Sequence, residues 1–114
     1  MDRRAEIASY PEIVKRIIRE YAAIKPSYGD IQVETIFDDA QGHYELMYAG
    51  WTEDRRVHGT VLHVDVRGDK VWIQHDGTEQ GIAGDLVEAG IPKEHVVLAF
   101  HHPDKRRFTS FATG

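Results

Sequence analysis

The stretch Val57-His58-Gly59-Thr60-Val61-Leu62-His63-Val64-Asp65-Val66, followed by Arg67-Gly68-Asp69-Lys70 and Val71-Trp72-Ile73-Gln74-His75, decides the fold. Two runs rich in β-branched residues flank a short segment centred on Gly68-Asp69, the composition of a tight antiparallel hairpin. With Gly68 and Asp69 as the loop residues, Val66 faces Val71 and Val64 faces Ile73. Alternation then gathers Leu62, Val64, Val66, Val71 and Ile73 on one apolar face, and His63, Asp65, Trp72 and Gln74 on the other. Along the longer run the alternating sets are Val57, Gly59, Val61, His63, Asp65 and His58, Thr60, Leu62, Val64, Val66. Both sets hold apolar residues, so this strand is expected to be covered on both sides over part of its length. Short helices cover one face of a sheet; an identical subunit or a partner is expected on the other, and a two-fold homodimer is the commonest arrangement.

Upstream of the hairpin, Ile31 to Phe37 alternates with Ile31, Val33, Thr35 and Phe37 on one side, and His43 to Trp51 forms another strand. Asp38-Asp39-Ala40-Gln41-Gly42 supplies the turn between them. Before these, Tyr10, Ile13, Val14, Ile17, Ile18, Tyr21 and Ile24 recur at helical spacing, with Glu12, Lys15, Arg16, Arg19 and Glu20 on the opposite face. Ser9 and Glu12 stand at capping-box spacing, Pro11 suits a first turn, and Glu12 and Arg16 form an i,i+4 pair. Ile7 extends the same stripe, Pro26 ends the helix, and Tyr28-Gly29-Asp30 reads as a turn. Downstream, Thr78 is the expected N-cap of a second helix with Ile82, Ala83, Leu86 and Val87 on its apolar stripe, stopped by Gly90-Ile91-Pro92. Val96 to Phe100 is expected as a last strand, before a tail from His101 to Gly114. The order α-β-β-β-β-α-β predicts an α+β fold: an antiparallel sheet of about five strands with both helices on one face, as a single domain over residues 1–114.

A chain of 114 residues, 41% hydrophobic, can bury a core of its own. It has no cysteine, which excludes disulfides and thiolate chemistry. The opening Met1-Asp2-Arg3-Arg4-Ala5-Glu6 leads into no apolar signal segment, and no run approaches the roughly 18 apolar residues of a membrane span. A soluble, cytoplasmic protein is expected. The formal net charge of −5 disfavours a broad phosphate-binding face, although it leaves room for local basic patches.

Seven histidines are scattered along the chain without an HExxH pattern. His63 and Asp65 lie two apart on one strand and share a face, a geometry that can hold a metal or a general base, as in a small metal-dependent hydrolase. The plainer reading is a polar patch on an exposed or interfacial sheet face. The acidic pairs Asp38-Asp39, Glu53-Asp54 and Asp76/Glu79 fall in turns or at a helix start, where local backbone needs explain them. Gly77-Thr78-Glu79-Gln80-Gly81 lacks the lysine of a phosphate loop and reads as a turn. Two basic clusters remain beside aromatics: Arg55-Arg56 near Trp51, and Lys105-Arg106-Arg107 near Phe108 and Phe111. Basic residues with aromatics suit single-stranded nucleic acid or a protein partner, and equally an ordinary solvated loop. Trp51, Arg55, Arg56, His63, Asp65, Trp72, Lys105, Arg106 and Arg107 are therefore the candidate partner or nucleic-acid contacts. No catalytic residue, metal ligand set or cofactor site is assigned.

Several segments in order carry a family likeness. They are Lys25-Pro26-Ser27-Tyr28-Gly29-Asp30, Asp38, His43-Tyr44, Gly50-Trp51, Asp54-Arg55-Arg56-Val57 and Leu62-His63-Val64-Asp65. Val71-Trp72-Ile73-Gln74-His75-Asp76-Gly77-Thr78-Glu79 is the most distinctive, followed by Ile82-Ala83, Gly90-Ile91-Pro92-Lys93-Glu94, Val97-Leu98-Ala99-Phe100-His101-His102-Pro103 and Arg107-Phe108-Thr109. Over nearly the whole chain the sequence resembles the XisI family, known in cyanobacteria as controlling factors for excision of the fdxN element. The resemblance implies a non-catalytic controlling factor of site-specific DNA excision, working with an XisH-like protein and the recombinase XisF. The runner-up reading is an inhibitor or cofactor of an XisH-like nuclease in a defence or toxin–antitoxin pair. The family supplies no catalytic residues to carry over.

Overall fold

Ser9 opens the first helix, α1 (Tyr10–Ala22), in the computed structural model, which describes residues 9–114. Its extended backbone and its side chain, which accepts the Glu12 N–H at 3.3 Å, make it the N-cap expected from its spacing to Glu12. Ile13, Val14, Ile17 and Ile18 form the buried stripe. Ile24 lies beyond the helix end and is exposed, and Ile7 lies outside the described residues. Lys15, expected on the solvated face, is buried. Its ammonium reaches Glu12 at 3.3 Å and Asp39 at 3.0 Å, so Glu12 pairs with Lys15, while Arg16 stands 3.9 Å from Glu20.

The sheet has five strands: β1 (Asp30–Asp38), β2 (His43–Thr52), β3 (Arg55–Arg67), β4 (Lys70–Asp76) and β5 (Val96–Leu98), in the spatial order β1-β2-β3-β4-β5. The first three pairings are antiparallel, but β5 runs parallel to β4, so the sheet is mixed and not wholly antiparallel. The physical reason is the connection: α2 (Ile82–Glu88) lies between β4 and β5, and a helical crossover returns the chain to the same end of the sheet, as parallel pairing requires. The β3–β4 hairpin has the expected register, with Val66 opposite Val71 and Val64 opposite Ile73. Gly68, with φ +61°, takes the first loop position, where a two-residue turn needs a positive φ.

Two bulges change the faces. Leu46 pairs with Leu62 and Met47 with Thr60, which leaves Val61 as an extra residue; His63 pairs with His75 and Val64 with Ile73, which leaves Gln74 extra. A bulge shifts the alternation by one residue. Val61 therefore packs against the core together with Leu62 and Val64, and Thr60 turns to the opposite face, where it donates to Glu45 at 2.8 Å. The apparent apolar content of both faces of β3 comes from counting through this bulge. Its valines lie mainly on the helix side, and the expectation of two-sided burial is corrected accordingly.

α1 and α2 share one core with Tyr44, Leu46, Leu62, Val64, Val71, Ile73 and Val96. Thr78 is not the N-cap of α2. Gly81 holds that position without a side-chain bond, and Asp76, six residues before the helix, accepts the Ile82 N–H at 2.7 Å and the Thr78 N–H at 2.9 Å. The helix ends in a Schellman motif: Gly90 (φ +113°) donates to the Val87 carbonyl, and Ile91 to the Leu86 carbonyl. The last strand stops at Leu98, and a short helix, α3 (Pro103–Arg106), forms where only a tail was expected. Ala112 then returns alongside Val97 in a parallel bridge.

Candidate functional site

The face of the sheet turned away from α1 and α2 carries the chemistry. The β2–β3 register sets His43 opposite Asp65 and Glu45 opposite His63, so alternating imidazoles and carboxylates meet across the two strands. Asp65 Oδ1 lies 3.2 Å from His43 Nδ1 and 3.0 Å from His63 Nε2. The other nitrogen of His43, Nε2, lies 2.7 Å from Glu45 Oε2. The two rings stack at a tilt, with centroids 4.3 Å apart. Asp65 is buried, and its second oxygen accepts from Gln74 at 3.2 Å and Arg67 at 3.3 Å. Gln74 is the extra residue of the β4 bulge.

The electrostatics follow from this pairing. The hydrogen bond to Glu45 raises the His43 imidazole above its ordinary pKa against the opposing effect of burial, and Asp65 adds to the rise. The same bond holds Glu45 below the usual carboxylate range, with help from Thr60. Within this network His43, His63 and Asp65 each offer one possible metal-ligand atom, and these atoms all lie within 4.8 Å of one another.

His63 and Asp65 thus share a face and touch, as their spacing implies. His43 was one of several scattered histidines in the sequence, and Glu45 carried no signal at all. The turn at Glu53-Asp54, which pairs Thr52 with Arg55, is the clue to their register. Counted back from that turn alone, His43 would face Val64. The bulge at Val61 moves it to Asp65 and has no signature in composition.

Trp72 is the cross-strand neighbour of Asp65, and its ring centroid lies 5.1 Å from the guanidinium of Arg67 and 5.8 Å from that of Arg106. Arg106 is turned into the fold: its guanidinium donates to the carbonyls of His101, Ala99 and Thr113 at 3.0–3.3 Å. The basic tail cluster is thereby divided, with Lys105 and Arg107 exposed. Trp51 and Arg56 form a cross-strand pair, with the guanidinium 5.2 Å from the indole centroid, and Arg55 is exposed beside them. They occupy the far end of β2 from His43, some eight residue rises or ~27 Å away. On the helix side, a cleft of about 580 Å³ is lined by Tyr21, Tyr28, Tyr48, Thr78 and Gln80.

These features define an α+β protein with a mixed five-stranded sheet, α1 and α2 on one face, and an opposite face carrying histidine–carboxylate and arginine–tryptophan pairs. The profile of the XisI protein family matches residues 1–113, and the chain belongs to that family. Among solved structures, a XisI-like protein from Anabaena variabilis is similar at 34% identity and a TM-score of 0.86, over 92% of this chain and 96% of that one. The fdxN element excision controlling factor XisI from Anabaena variabilis is similar at 31% identity and a TM-score of 0.79, over the same shares. Comparison with curated proteins finds no match. No helix among the described residues is long and apolar enough to cross a membrane.

Proposed function

We propose that this chain is a non-catalytic controlling factor of site-specific DNA excision. In this reading it works in the cytoplasm through protein contacts with an XisH-like protein and a XisF-type recombinase, and the recombinase does the cutting. The observation that carries the reading is the family match across residues 1–113, joined by likeness to a solved fdxN element excision controlling factor. The open sheet face supports a role in contacts: the exposed Trp51 beside Arg56 is the kind of aromatic–arginine pair that dominates protein interfaces.

The test is co-expression of the chain with an XisH-like protein, followed by affinity purification and light scattering of the product. A stable complex is expected, weakened at least about tenfold, or ~1.4 kcal/mol, by the double substitution Trp51→Ala, Arg56→Ala. No association, together with excision unchanged when the chain is deleted, overturns the reading. Toxicity of the XisH-like protein alone, relieved by this chain without any recombinase, replaces excision control with inhibition.

A further inference from the structure

We infer that His43, His63 and Asp65 form a binding site for a divalent cation of the zinc class, on the open face of the sheet. The donor set is two imidazoles and one carboxylate, the composition of zinc sites that leave a position free for water or another ligand. Magnesium and calcium prefer all-oxygen shells, so the imidazoles select against them.

Geometry supports the assignment. A tetrahedral cation with bonds of about 2.0–2.1 Å sets its ligand atoms about 3.3 Å apart. Asp65 Oδ1 already stands 3.2 Å from His43 Nδ1 and 3.0 Å from His63 Nε2. Without a cation the His63 contact is a hydrogen bond and the His43 contact a close charge–dipole approach; a cation takes the place of the ring protons between these atoms.

The surroundings are those of a supported site. Metal-bound histidines usually hand their second nitrogen to a carboxylate, which fixes ring and tautomer. His43 does so to Glu45 at 2.7 Å, and Glu45 is itself held by Thr60 at 2.8 Å. The outer oxygen of Asp65 is held by Gln74 and Arg67. All three ligands stand on paired strands, not on loops, in the register that the Val61 bulge sets. Both rings are about one-third or less exposed, which leaves an entry path from solvent and an open position for a further ligand. The Arg67 guanidinium is a nearby positive charge and weakens the site, so micromolar rather than picomolar binding is expected.

Zinc chloride is titrated by calorimetry into the metal-stripped full chain at neutral pH, with no partner present, so failure of the partner reading does not affect the result. One zinc per chain is expected, with a dissociation constant on the order of micromolar and no competition from millimolar magnesium. His43→Gln, His63→Gln and Asp65→Asn should each abolish or weaken binding by more than tenfold. Glu45→Gln, which takes the carboxylate charge from His43 and leaves all three ligands in place, should weaken it about 10–100-fold. His58→Ala, outside the site, should leave it unchanged. Circular dichroism of each variant separates lost binding from lost folding. Absence of binding by the unsubstituted chain at 100-fold higher zinc, or undiminished binding by the folded His43→Gln, His63→Gln double variant, overturns the inference.

Discussion

Tyr44 is fully buried in the core, yet its hydroxyl donates to Asp39 Oδ1 at 2.8 Å, and Asp39 Oδ2 is held by Lys15 at 3.0 Å. Burial, and then the hydrogen bond to Asp39, push the Tyr44 phenol up to about 12. Lys15 first, then Tyr44, hold the Asp39 carboxyl below its usual range. For Tyr44 the raised folded value means that its contribution to stability is complete below the unfolded value of 10.0 and lost as pH climbs toward about 12. A shift of this size costs about 2–3 kcal/mol across that window. For Asp39 the lowered value places the loss at the acid end, as pH falls through the carboxylate range below 3.8. Tyr44→Phe should cost about 1 kcal/mol at neutral pH, and it should make the alkaline fall in stability shallower. Tyr10, Tyr21 and Tyr48 are raised as well and keep part of the fall. Urea unfolding of both proteins from pH 7 to 11 checks this, and alkaline limbs of equal slope would contradict it. The helical spacing placed Lys15 on the solvent side. Only the approach of the β1–β2 turn to α1 shows why a lysine belongs half inside, with its stem along the core and its charge on Asp39.

Two connections show what the elements need beyond periodicity. Asp76 ends β4 and caps α2 from six residues away, satisfying the Thr78 and Ile82 N–H groups. Asp76→Ala strips the first turn of its acceptor and should cost about 1–3 kcal/mol, and amide exchange at Ile82 should quicken. Unchanged protection there would show that the helix start does not depend on Asp76. In the β2–β3 turn, Glu53 holds a φ of +55°, which an L-residue adopts at a cost of roughly 1 kcal/mol. Glu53→Gly should raise the unfolding free energy by about that amount, and a loss of stability in urea would refute the strain. Strands and helices were legible from local period: Leu62 to Ile73 gave the hairpin, and Ile13 to Ile18 gave α1. The cap was not, because Thr78 and Asp76 are equally good acceptors in a loop and only the path of the backbone chooses between them. The Val61 and Gln74 bulges were illegible for a similar reason, since an extra residue in a strand looks like any other. The parallel β5 depended on where the α2 crossover returns the chain.

At the scale of the whole molecule, half of the candidate site follows from alternation along β3, which puts His63 beside Asp65, and half from pairing between strands, which brings in His43 and Glu45. The tail likewise acquires its role only in the assembled fold. Val97 is fully buried, and its register opposite Trp72 and beside Ala112 places the returning tail over the edge of the sheet. Arg106 holds this cover, with its guanidinium against the Trp72 ring and on three backbone carbonyls, while Lys70 fixes the Gly114 carbonyl at 2.8 Å. Lys105 and Arg107, one residue to either side, are exposed. The three basic residues should therefore behave differently when removed. Arg106→Ala takes the charged donor from the part-buried carbonyls of Ala99 and His101 and should cost about 1–3 kcal/mol, whereas Lys105→Ala with Arg107→Ala should change stability by no more than about 0.5 kcal/mol. Limited trypsin digestion reads the same difference locally. Arg106→Ala leaves the cleavage sites at Lys105 and Arg107 intact, and a loosened tail should be cut there several-fold faster than in the unsubstituted chain. Equal cutting rates would mean that the tail is held by Ala112 and Gly114 without Arg106, and that the arginine is available to a partner after all.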